Sequence, residues 1–281
     1  MTSPPQIKQV LPDVAWTVEP LLTEEECQRV IQQATQAGIQ TSPGPGDLRH
    51  RNCCTHYFRD ERLSAAIWQR LQATGSLPNR VTFDRLHMET PPTGFRCDDI
   101  RDMLGQWKAY GINPQYTLLY YTPGGHFGPH RDGYKVLSEH ERSLLTVCTY
   151  LTARPTASGG ATQFLCDEMD LLGPDATTGR IEAPTGTVRA TVEGNAVGKA
   201  AVFWHDVMHQ GQPLVANSAP KWLLITQVLF VRDPSTAPQW TTEQRLARDY
   251  LKQAEAAEVA GNIPEAIRCY NKAFKLDPSL E

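Results

Sequence analysis

The sequence predicts an α+β protein that is mainly β: an antiparallel jelly roll with supporting helices before it and a helical hairpin after it. Three observations lead to this prediction. From about Tyr116 onward, short runs rich in Thr, Val, Leu, Tyr and Phe are broken by Gly and Pro, which is typical of strands in a sandwich or barrel. Most of these runs are not separated by a helical crossover of useful length, which disfavours a parallel α/β sheet. Helical periodicity is found before and after them.

The composition is that of an ordinary globular protein. The chain has 281 residues, 40% hydrophobic and 21% charged, with a formal net charge of −4, so we expect neither disorder nor a general attraction to nucleic acid or anionic lipid. No segment approaches the roughly 20 apolar residues of a membrane helix, and the first residues lack a secretory signal. We therefore expect a soluble, cytoplasmic protein. Its seven irregularly spaced cysteines are expected to be reduced thiols.

Two helices are predicted in the supporting region, at about 20–110. The first begins after Thr23, because Glu26 stands three residues later in a capping-box pattern, and it ends at Gly38. The second runs from Asp60 to Gly75, with apolar residues at helical spacing.

The β core is predicted at about 115–232. Its candidate strands are 116–121, 143–151, 160–165, 200–204 and 222–231. Between Cys166 and Lys199 lies a polar stretch that is either a functional lid or a surface insertion. Residues 231–241 are interpreted as a linker, which places a catalytic domain at 1–235 and a second unit at 241–281.

The C-terminal segment resembles a single tetratricopeptide repeat (TPR). Small and aromatic residues at the expected spacing carry the resemblance: Gly261, Ala266, Tyr270, Ala273 and Pro278. One repeat cannot bury both of its faces. The hairpin is therefore expected to pack on the barrel, on further repeats or on another chain, which would make it a surface for a protein partner.

A metal site is predicted from His130, Asp132 and a downstream histidine. His130 and Asp132 stand two residues apart in GPHRDG, so in an extended segment both can face one ion. Either His205 or His209 could complete the set, and the context of a following Gly-x-Pro favours His209. Two imidazoles and a carboxylate suit the open site of a non-haem Fe(II) oxygenase, although zinc would also accept them.

Lys221 favours the Fe(II) oxygenase over a zinc enzyme. It begins the last long strand, twelve residues after His209, where its ammonium could meet a buried carboxylate of 2-oxoglutarate that would otherwise be costly to bury. A zinc hydrolase has no need of such a lysine.

With these motifs, residues 15–232 resemble the prolyl 4-hydroxylase-like branch of the Fe(II)/2-oxoglutarate dioxygenases. The matching stretches are YTPGGHFGPHRDG, RSLLTVCTYL, GGATQF and AVFWHDVMHQGQPLVANSAPKW. The resemblance implies a double-stranded β-helix, with His130, Asp132 and His209 as metal ligands and Lys221 as the basic residue. The interval from His209 to Lys221 is longer than is usual in the family, so the connecting turn is expected to bulge or Lys221 to enter at a shifted height.

The same resemblance implies roles for further side chains near the metal. Tyr121 matches a tyrosine that contacts 2-oxoglutarate, and Tyr150 occupies a similar place on the next strand, with Thr146 on its face. His205 and Thr146 are expected to support the ligands, His205 being also the alternative ligand. His126 is expected to be a loop or supporting residue and Arg142 a structural or rim cation. No catalytic side chain beyond the metal ligands is needed.

The implied activity is hydroxylation of a prolyl or other residue in a peptide or protein, with Fe(II), 2-oxoglutarate and O2, release of succinate and CO2, and ascorbate as reductant. Three alternatives remain open. They are a dioxygenase for a free amino acid or other small molecule, an inactive barrel that acts as a binding module, and a zinc-dependent hydrolase.

Overall fold

The computed structural model describes residues 5–39, 46–89, 95, 102–166, 174–175 and 177–280. The chain divides into two compact units, Met1–Thr236 and Ala237–Glu281. The first unit holds the strands and the second is helical.

Strands dominate the first unit. They are β1 (Gln6–Leu11), β2 (Ala15–Glu19), β3 (Arg51–Asn52), β4 (Cys54–Arg59), β5 (Arg80–Phe83), β6 (Gly105–Ile112), β7 (Gln115–Tyr121), β8 (His126–His130), β9 (Val136–Ser138), β10 (Glu141–Tyr150), β11 (Thr162–Leu165), β12 (Val188–Val192), β13 (Ala200–Trp204), β14 (His209–Gly211) and β15 (Lys221–Arg232). The α-helices that the described residues of this unit form are α1 (Glu24–Gln36), α2 (Glu61–Thr74) and the short α3 (Leu86–Glu89).

The strands form two sheets, and every pairing among the described strands is antiparallel. The larger sheet has the order β1-β2-β13-β10-β15-β6-β5, with β7 also paired to β15 and to β4 and with β9 paired to β10. The smaller sheet has the order β12-β11-β14-β8-β3. Side chains of the two sheets meet in the core, where the rings of Phe164 and Phe203 lie 5.2 Å apart. This arrangement confirms the predicted antiparallel jelly-roll class.

The five predicted strands are confirmed as β7, β10, β11, β13 and β15, with boundaries shifted by a few residues. The supporting region was predicted as helical and is more mixed, because β3 to β6 also lie there and β4 and β6 extend the large sheet. The polar stretch after Cys166 contains β12, which pairs with β11, so part of it belongs to the barrel. Residues 167–173 and 176 of that stretch lie outside the described residues.

The two predicted helices have the expected caps. Thr23 and Glu26 form a reciprocal capping box at the start of α1, and the side chain of Asp60 accepts from the backbone N–H of Leu63 at the start of α2. Such caps satisfy N–H groups that the helix itself leaves unpaired.

The second unit is a helical hairpin of α4 (Thr242–Val259) and α5 (Ile263–Leu276). Small side chains are buried where the two helices pack: Ala247, Ala254, Ala266, Cys269 and Ala273. Gly261, with φ of 74°, forms part of the turn between them. The hairpin fits the predicted architecture, while its relation to a TPR and to a protein partner stays a prediction.

No helix among the described residues is long and apolar enough to span a membrane. The six cysteines in the described part of the chain are free thiols, as the sequence predicts.

Gly198 is a position where only glycine fits. Its φ is +76°, and a Cβ added there would lie 1.9 Å from the backbone oxygen of Leu22. That oxygen cannot move freely, because the N–H groups of Leu21 and Leu22 both donate to the Gly198 carbonyl.

We expect Gly198→Ala to lower the free energy of unfolding by about 3 kcal/mol or more, the left-handed backbone accounting for about 1–2 kcal/mol and the clash for the rest. Urea denaturation measures this. Gly75→Ala is the matched control, since Gly75 has φ of +64° and open space around it. If both variants lose the same free energy of unfolding, the contact between the new Cβ and the Leu22 oxygen does not contribute to the loss at Gly198.

Candidate metal centre and co-substrate pocket

Three side chains converge where two strands of the smaller sheet meet. His130 ends β8, His209 begins β14, and the two residues are direct partners in the antiparallel register. Asp132 follows β8 by two residues. One donor atom from each of the three side chains lies within 4.8 Å of the others, so the structure brings together the three ligands predicted from sequence.

Both imidazoles are oriented by backbone carbonyls. Nδ1 of His130 lies 2.8 Å from the carbonyl oxygen of Gly128, and Nδ1 of His209 lies 2.9 Å from that of Val207. A carbonyl only accepts, so each Nδ1 carries the proton and each Nε2 keeps a free lone pair. The two Nε2 atoms are each 3.8 Å from an oxygen of Asp132. The lone pairs are thus available to an ion beside that carboxylate.

The site favours the protonation states that bind metals. Burial, together with the neighbouring His209, lowers the pKa of His130 to about 3. Burial alone would raise the pKa of the Asp132 carboxyl, but the nearby His209 and His130 and a hydrogen bond from Thr146 outweigh it and hold that pKa below its usual value. Neutral imidazole and ionised carboxylate are the forms that coordinate metal.

Aromatic rings pack against both histidines. Phe127 stacks on His130 with ring centroids 3.6 Å apart, and Phe203 meets His209 edge-on at 4.7 Å. Sequence reasoning did not single out these rings, although Phe127 lies in the quoted motif three residues before His130. They limit the rotation of the two imidazoles and keep this part of the pocket apolar.

Lys221 lines the same pocket as the three donors. It begins β15 opposite Tyr121 of β7, and only 1% of its surface is exposed. Its Nζ donates to the carbonyl oxygen of Gly160 at 2.8 Å and lies 4.3 Å from the centre of the Tyr121 ring. Within the described part of the chain, no carboxylate forms an ion pair with Lys221. A buried ammonium without an anion is costly, so the pocket is suited to an anionic ligand.

Gly160 makes room for the lysine stem. It has φ of +81°, and a Cβ there would lie 2.5 Å from a methyl carbon of Leu214 and 3.2 Å from Cδ of Lys221. Any larger residue would displace the stem. Gly160 belongs to the GGATQF motif, which was quoted for its resemblance and not for this contact.

The two predicted tyrosines have different surroundings. Tyr121 is 2% exposed, and its hydroxyl interacts with Cys53. The Tyr150 hydroxyl donates to the carbonyl oxygen of Val192 at 2.9 Å and accepts from the backbone N–H of Thr162 at 3.0 Å, with the Thr162 hydroxyl 2.7 Å away. Tyr150 therefore holds Thr162, a pocket residue that sequence reasoning missed. Contact of either tyrosine with 2-oxoglutarate stays a prediction.

The remaining candidates occupy supporting positions. His205 is fully buried, and both of its ring nitrogens have hydroxyl partners, Thr146 and Ser143, each at 2.8 Å. His126 lies with its ring nitrogens near the carbonyl oxygens of Arg49 and Gly124. The guanidinium of Arg142 lies over the Trp107 ring at 5.3 Å. The structure therefore groups His209, rather than His205, with the H-x-D pair.

The donor set and the buried cation together fit Fe(II) and 2-oxoglutarate. Two imidazole nitrogens and one carboxylate are the ligands of non-haem Fe(II) oxygenases. By themselves these ligands would also accept zinc. Lys221 places a cation at the buried end of the same pocket, where it can pair with the second carboxylate of 2-oxoglutarate. The side chains of His130 and Asp132 keep 17% and 25% of their surface exposed, so the metal end is the more open one.

The electrostatics of Lys221 predict a pH dependence. Burial lowers its pKa from 10.5 to about 8, against smaller opposing effects of Cys148 and Cys53. Below pH 8 the free enzyme carries the ammonium that an anion needs, and above pH 8 it loses it. We expect kcat/KM for 2-oxoglutarate to be level below about pH 8 and to fall about tenfold per pH unit above it, because this ratio reports the free enzyme.

Steady-state kinetics from pH 6 to 10 measure this profile. Lys221→Arg is the matched variant, because a guanidinium stays charged across the range and should remove the decline. A wild-type kcat/KM that stays level up to pH 10 would contradict the assignment of the decline to Lys221.

Comparison with known families agrees with this site. Residues 116–227 match the model of the 2OG-Fe(II) oxygenase superfamily. The matched segment runs from β7 into β15 and contains the three donors and Lys221. This family uses Fe(II), 2-oxoglutarate and O2. This segment is therefore a 2OG-Fe(II) oxygenase domain, and the protein is a 2-oxoglutarate-dependent oxygenase, an oxidoreductase. No curated protein matches it in sequence.

Several solved structures are similar to this chain at low identity. The viral collagen prolyl hydroxylase of Paramecium Bursaria Chlorella virus-1, in complex with 2OG, is 16% identical, with 78% of this chain and 96% of that chain covered and a TM-score of 0.42. A Pseudomonas putida prolyl-4-hydroxylase is 14% identical, with coverages of 78% and 92% and a TM-score of 0.44. A Trichoplax adhaerens prolyl hydroxylase, in complex with a hypoxia inducible factor peptide fragment, is 14% identical, with coverages of 77% and 84% and a TM-score of 0.45. At these values the similarity carries no argument about activity, and the oxygenase class rests on the sequence match of residues 116–227.

Proposed function

We propose that this oxygenase hydroxylates a prolyl or another residue within a peptide or protein, with His130, Asp132 and His209 holding Fe(II) and Lys221 holding the far carboxylate of 2-oxoglutarate. The observation that carries the proposal is the presence of the three donors and the buried Lys221 in one pocket. Fe(II) bound there supplies the oxidation chemistry, in which one oxygen atom of O2 enters succinate as CO2 is released and the other enters the substrate.

The residues of the chain orient the side chains that hold the metal, bind 2-oxoglutarate and exclude water. The carbonyls of Gly128 and Val207 keep the two imidazoles in the tautomer that offers Nε2. Phe127 and Phe203 cover the ligand rings, which limits the access of water. Lys221 fixes the far end of 2-oxoglutarate by charge, and Tyr121 flanks its ammonium. No side chain has to remove a proton from the substrate.

Two observations support a peptide or protein substrate. The stretches around the ligands, YTPGGHFGPHRDG and AVFWHDVMHQGQP, resemble the prolyl 4-hydroxylase-like branch. The metal end of the pocket is partly exposed whereas the Lys221 end is closed, so a side chain carried on a polypeptide could approach the metal from outside. A small molecule could enter by the same route, and the experiment has to separate these two classes.

The test measures succinate formed from 2-oxoglutarate with Fe(II) and ascorbate, in wild type and in His130→Ala. We expect wild type to form succinate and the variant to form none above background. Proline-containing peptides and a panel of free amino acids are then added separately, and mass spectrometry records the gain of one oxygen atom. Oxygen gain in peptides alone supports the proposal, and gain in free amino acids alone replaces it with the small-molecule alternative.

Two other outcomes would overturn the reaction class. Tight zinc binding with no succinate formation would indicate a hydrolase. Absence of any metal binding would indicate an inactive barrel that serves for binding. His56→Ala is the control for histidine loss, because His56 lies on β4 and stacks with Phe58 away from the three donors.

A further inference from the structure

A chain of buried hydrogen bonds ends on the metal-binding carboxylate. The Thr146 hydroxyl donates to Oδ2 of Asp132 at 2.5 Å, and its oxygen lies 2.8 Å from Nδ1 of His205. Nε2 of His205 lies 2.8 Å from the hydroxyl oxygen of Ser143, which accepts from the backbone N–H of Lys135 at 2.8 Å. Ser143, Thr146 and His205 are each at most 2% exposed, so water does not compete for these bonds.

The directions of three of the four bonds in this chain are determined. The Asp132 carboxylate can only accept, so the single proton of Thr146 is committed to it. The Thr146 oxygen must then accept from His205, which places a proton on Nδ1. The Ser143 oxygen accepts from Lys135, and its own proton is free to point at Nε2. When Ser143 donates to His205, all four donors point the same way along the chain of bonds. The chain begins at the backbone N–H of Lys135, just before β9, and ends at Oδ2 of Asp132.

The backbone of His205 supports the same residue. Its carbonyl oxygen accepts from the N–H of Asp132 at 2.9 Å, and its own N–H donates to the carbonyl of Leu144 at 3.1 Å. His205 thus contacts Asp132 through its main chain and, by way of Thr146, through its side chain. Both contacts depend on where β10 and β13 place Thr146 and His205.

We infer that His205 is a positioning residue for the metal centre: through Thr146 it holds the Asp132 carboxylate in the orientation in which one oxygen lies near Nε2 of His130 and the other near Nε2 of His209. The inference rests on the proposed metal site but not on the proposed substrate or on turnover. It also gives His205 a role other than that of a fourth or alternative ligand, because both of its nitrogens are committed to hydroxyl groups. Partners of this kind commonly change metal affinity by about 10- to 100-fold.

The test is a titration of the protein with Co(II), followed by visible absorption and by calorimetry, without 2-oxoglutarate or substrate. Four proteins are compared with wild type: His205→Leu, Thr146→Val, His205→Asn and Thr226→Val. Asn can present an N–H near the position of Nδ1, so His205→Asn retains the donor to Thr146. Thr226 is an equally buried threonine of β15 whose hydroxyl donates to the Asn113 carbonyl, so Thr226→Val controls for loss of a buried hydroxyl.

We expect His205→Leu and Thr146→Val to weaken Co(II) binding by about 10- to 100-fold and to change the Co(II) spectrum. His205→Asn should restore most of the affinity and the wild-type spectrum, and Thr226→Val should leave both unchanged. Thermal unfolding without metal shows that each variant is folded before titration.

Three results would overturn the inference. The first is wild-type affinity and spectrum in His205→Leu and Thr146→Val. The second is a His205→Asn protein as impaired as His205→Leu, which would assign His205 to packing alone. The third is a wild-type protein that binds no Co(II). Succinate formation is measured separately, so a protein that shows the expected Co(II) pattern without turnover would reject the proposed function and retain the positioning role.

Discussion

His209→Ala is expected to abolish succinate formation and to weaken Co(II) and Fe(II) binding by more than about 100-fold, because loss of a ligand should cost more than loss of a residue that orients one. His209 supplies one of the three donor atoms that lie within 4.8 Å of one another. Its removal leaves one imidazole and one carboxylate. Metal affinity is measured by calorimetry and turnover by succinate release.

The same measurements distinguish the roles of His205 and His209, which stand four residues apart. His205→Leu should keep measurable metal binding, whereas His209→Ala should not, since Nε2 of His209 faces Asp132 while Nε2 of His205 faces the Ser143 hydroxyl. His56→Ala should behave as wild type. The ligand assignment would be rejected by a His209→Ala protein that binds metal as wild type does, or by a His205→Leu protein that binds none.

Lys221→Met should raise KM for 2-oxoglutarate by about 100- to 4,000-fold, because an unpaired buried carboxylate costs about 3–5 kcal/mol and each 1.4 kcal/mol is a factor of ten. Methionine keeps much of the apolar stem and removes the charge. Co(II) affinity should be unchanged, since Lys221 contacts Gly160 and Tyr121 and none of the three donors. Steady-state kinetics over a range of 2-oxoglutarate concentrations measure the effect.

The same substitution should stabilise the protein in the absence of 2-oxoglutarate. Wild type buries an ammonium that has no carboxylate partner among the described residues, so replacing it with an apolar side chain of similar length should raise the free energy of unfolding by about 1 kcal/mol or more. Lys252→Met is the control, because Lys252 is exposed on α4. An unchanged KM together with lower stability would mean that Lys221 is a structural residue only.

The elements that sequence predicted best are those buried on both faces. β10, β13 and β15 are long apolar runs because most of their residues lie in the core. β6 was not predicted, although its buried and exposed residues alternate almost throughout. Such alternation with a period of two is typical of a strand with one buried face. β8 was missed for another reason, since its HFGPH carries a Gly and a Pro that usually indicate a turn.

The long interval between His209 and Lys221 shows how tertiary pairing resolves a sequence ambiguity. β14 ends at Gly211 and β15 begins at Lys221, so residues 212–220 form the connection. Leu214 forms an isolated bridge with Gly159, and Asn217 adopts φ of 66°. The loop takes up the additional residues, and Lys221 enters the sheet directly opposite Tyr121.

The sequence by itself determined the chemical identities: an H-x-D pair, downstream histidines, a lysine at a strand start and two capped helices. These follow from local spacing and side-chain type, which do not depend on the rest of the fold. The sequence favoured His209 over His205, and only the tertiary structure decided that His209 lies beside His130 and Asp132, that His205 is held by Ser143 and Thr146, and that Tyr150 holds Thr162. Those choices depend on which strands pair and in which register, and antiparallel pairing brings together residues that are far apart in the chain.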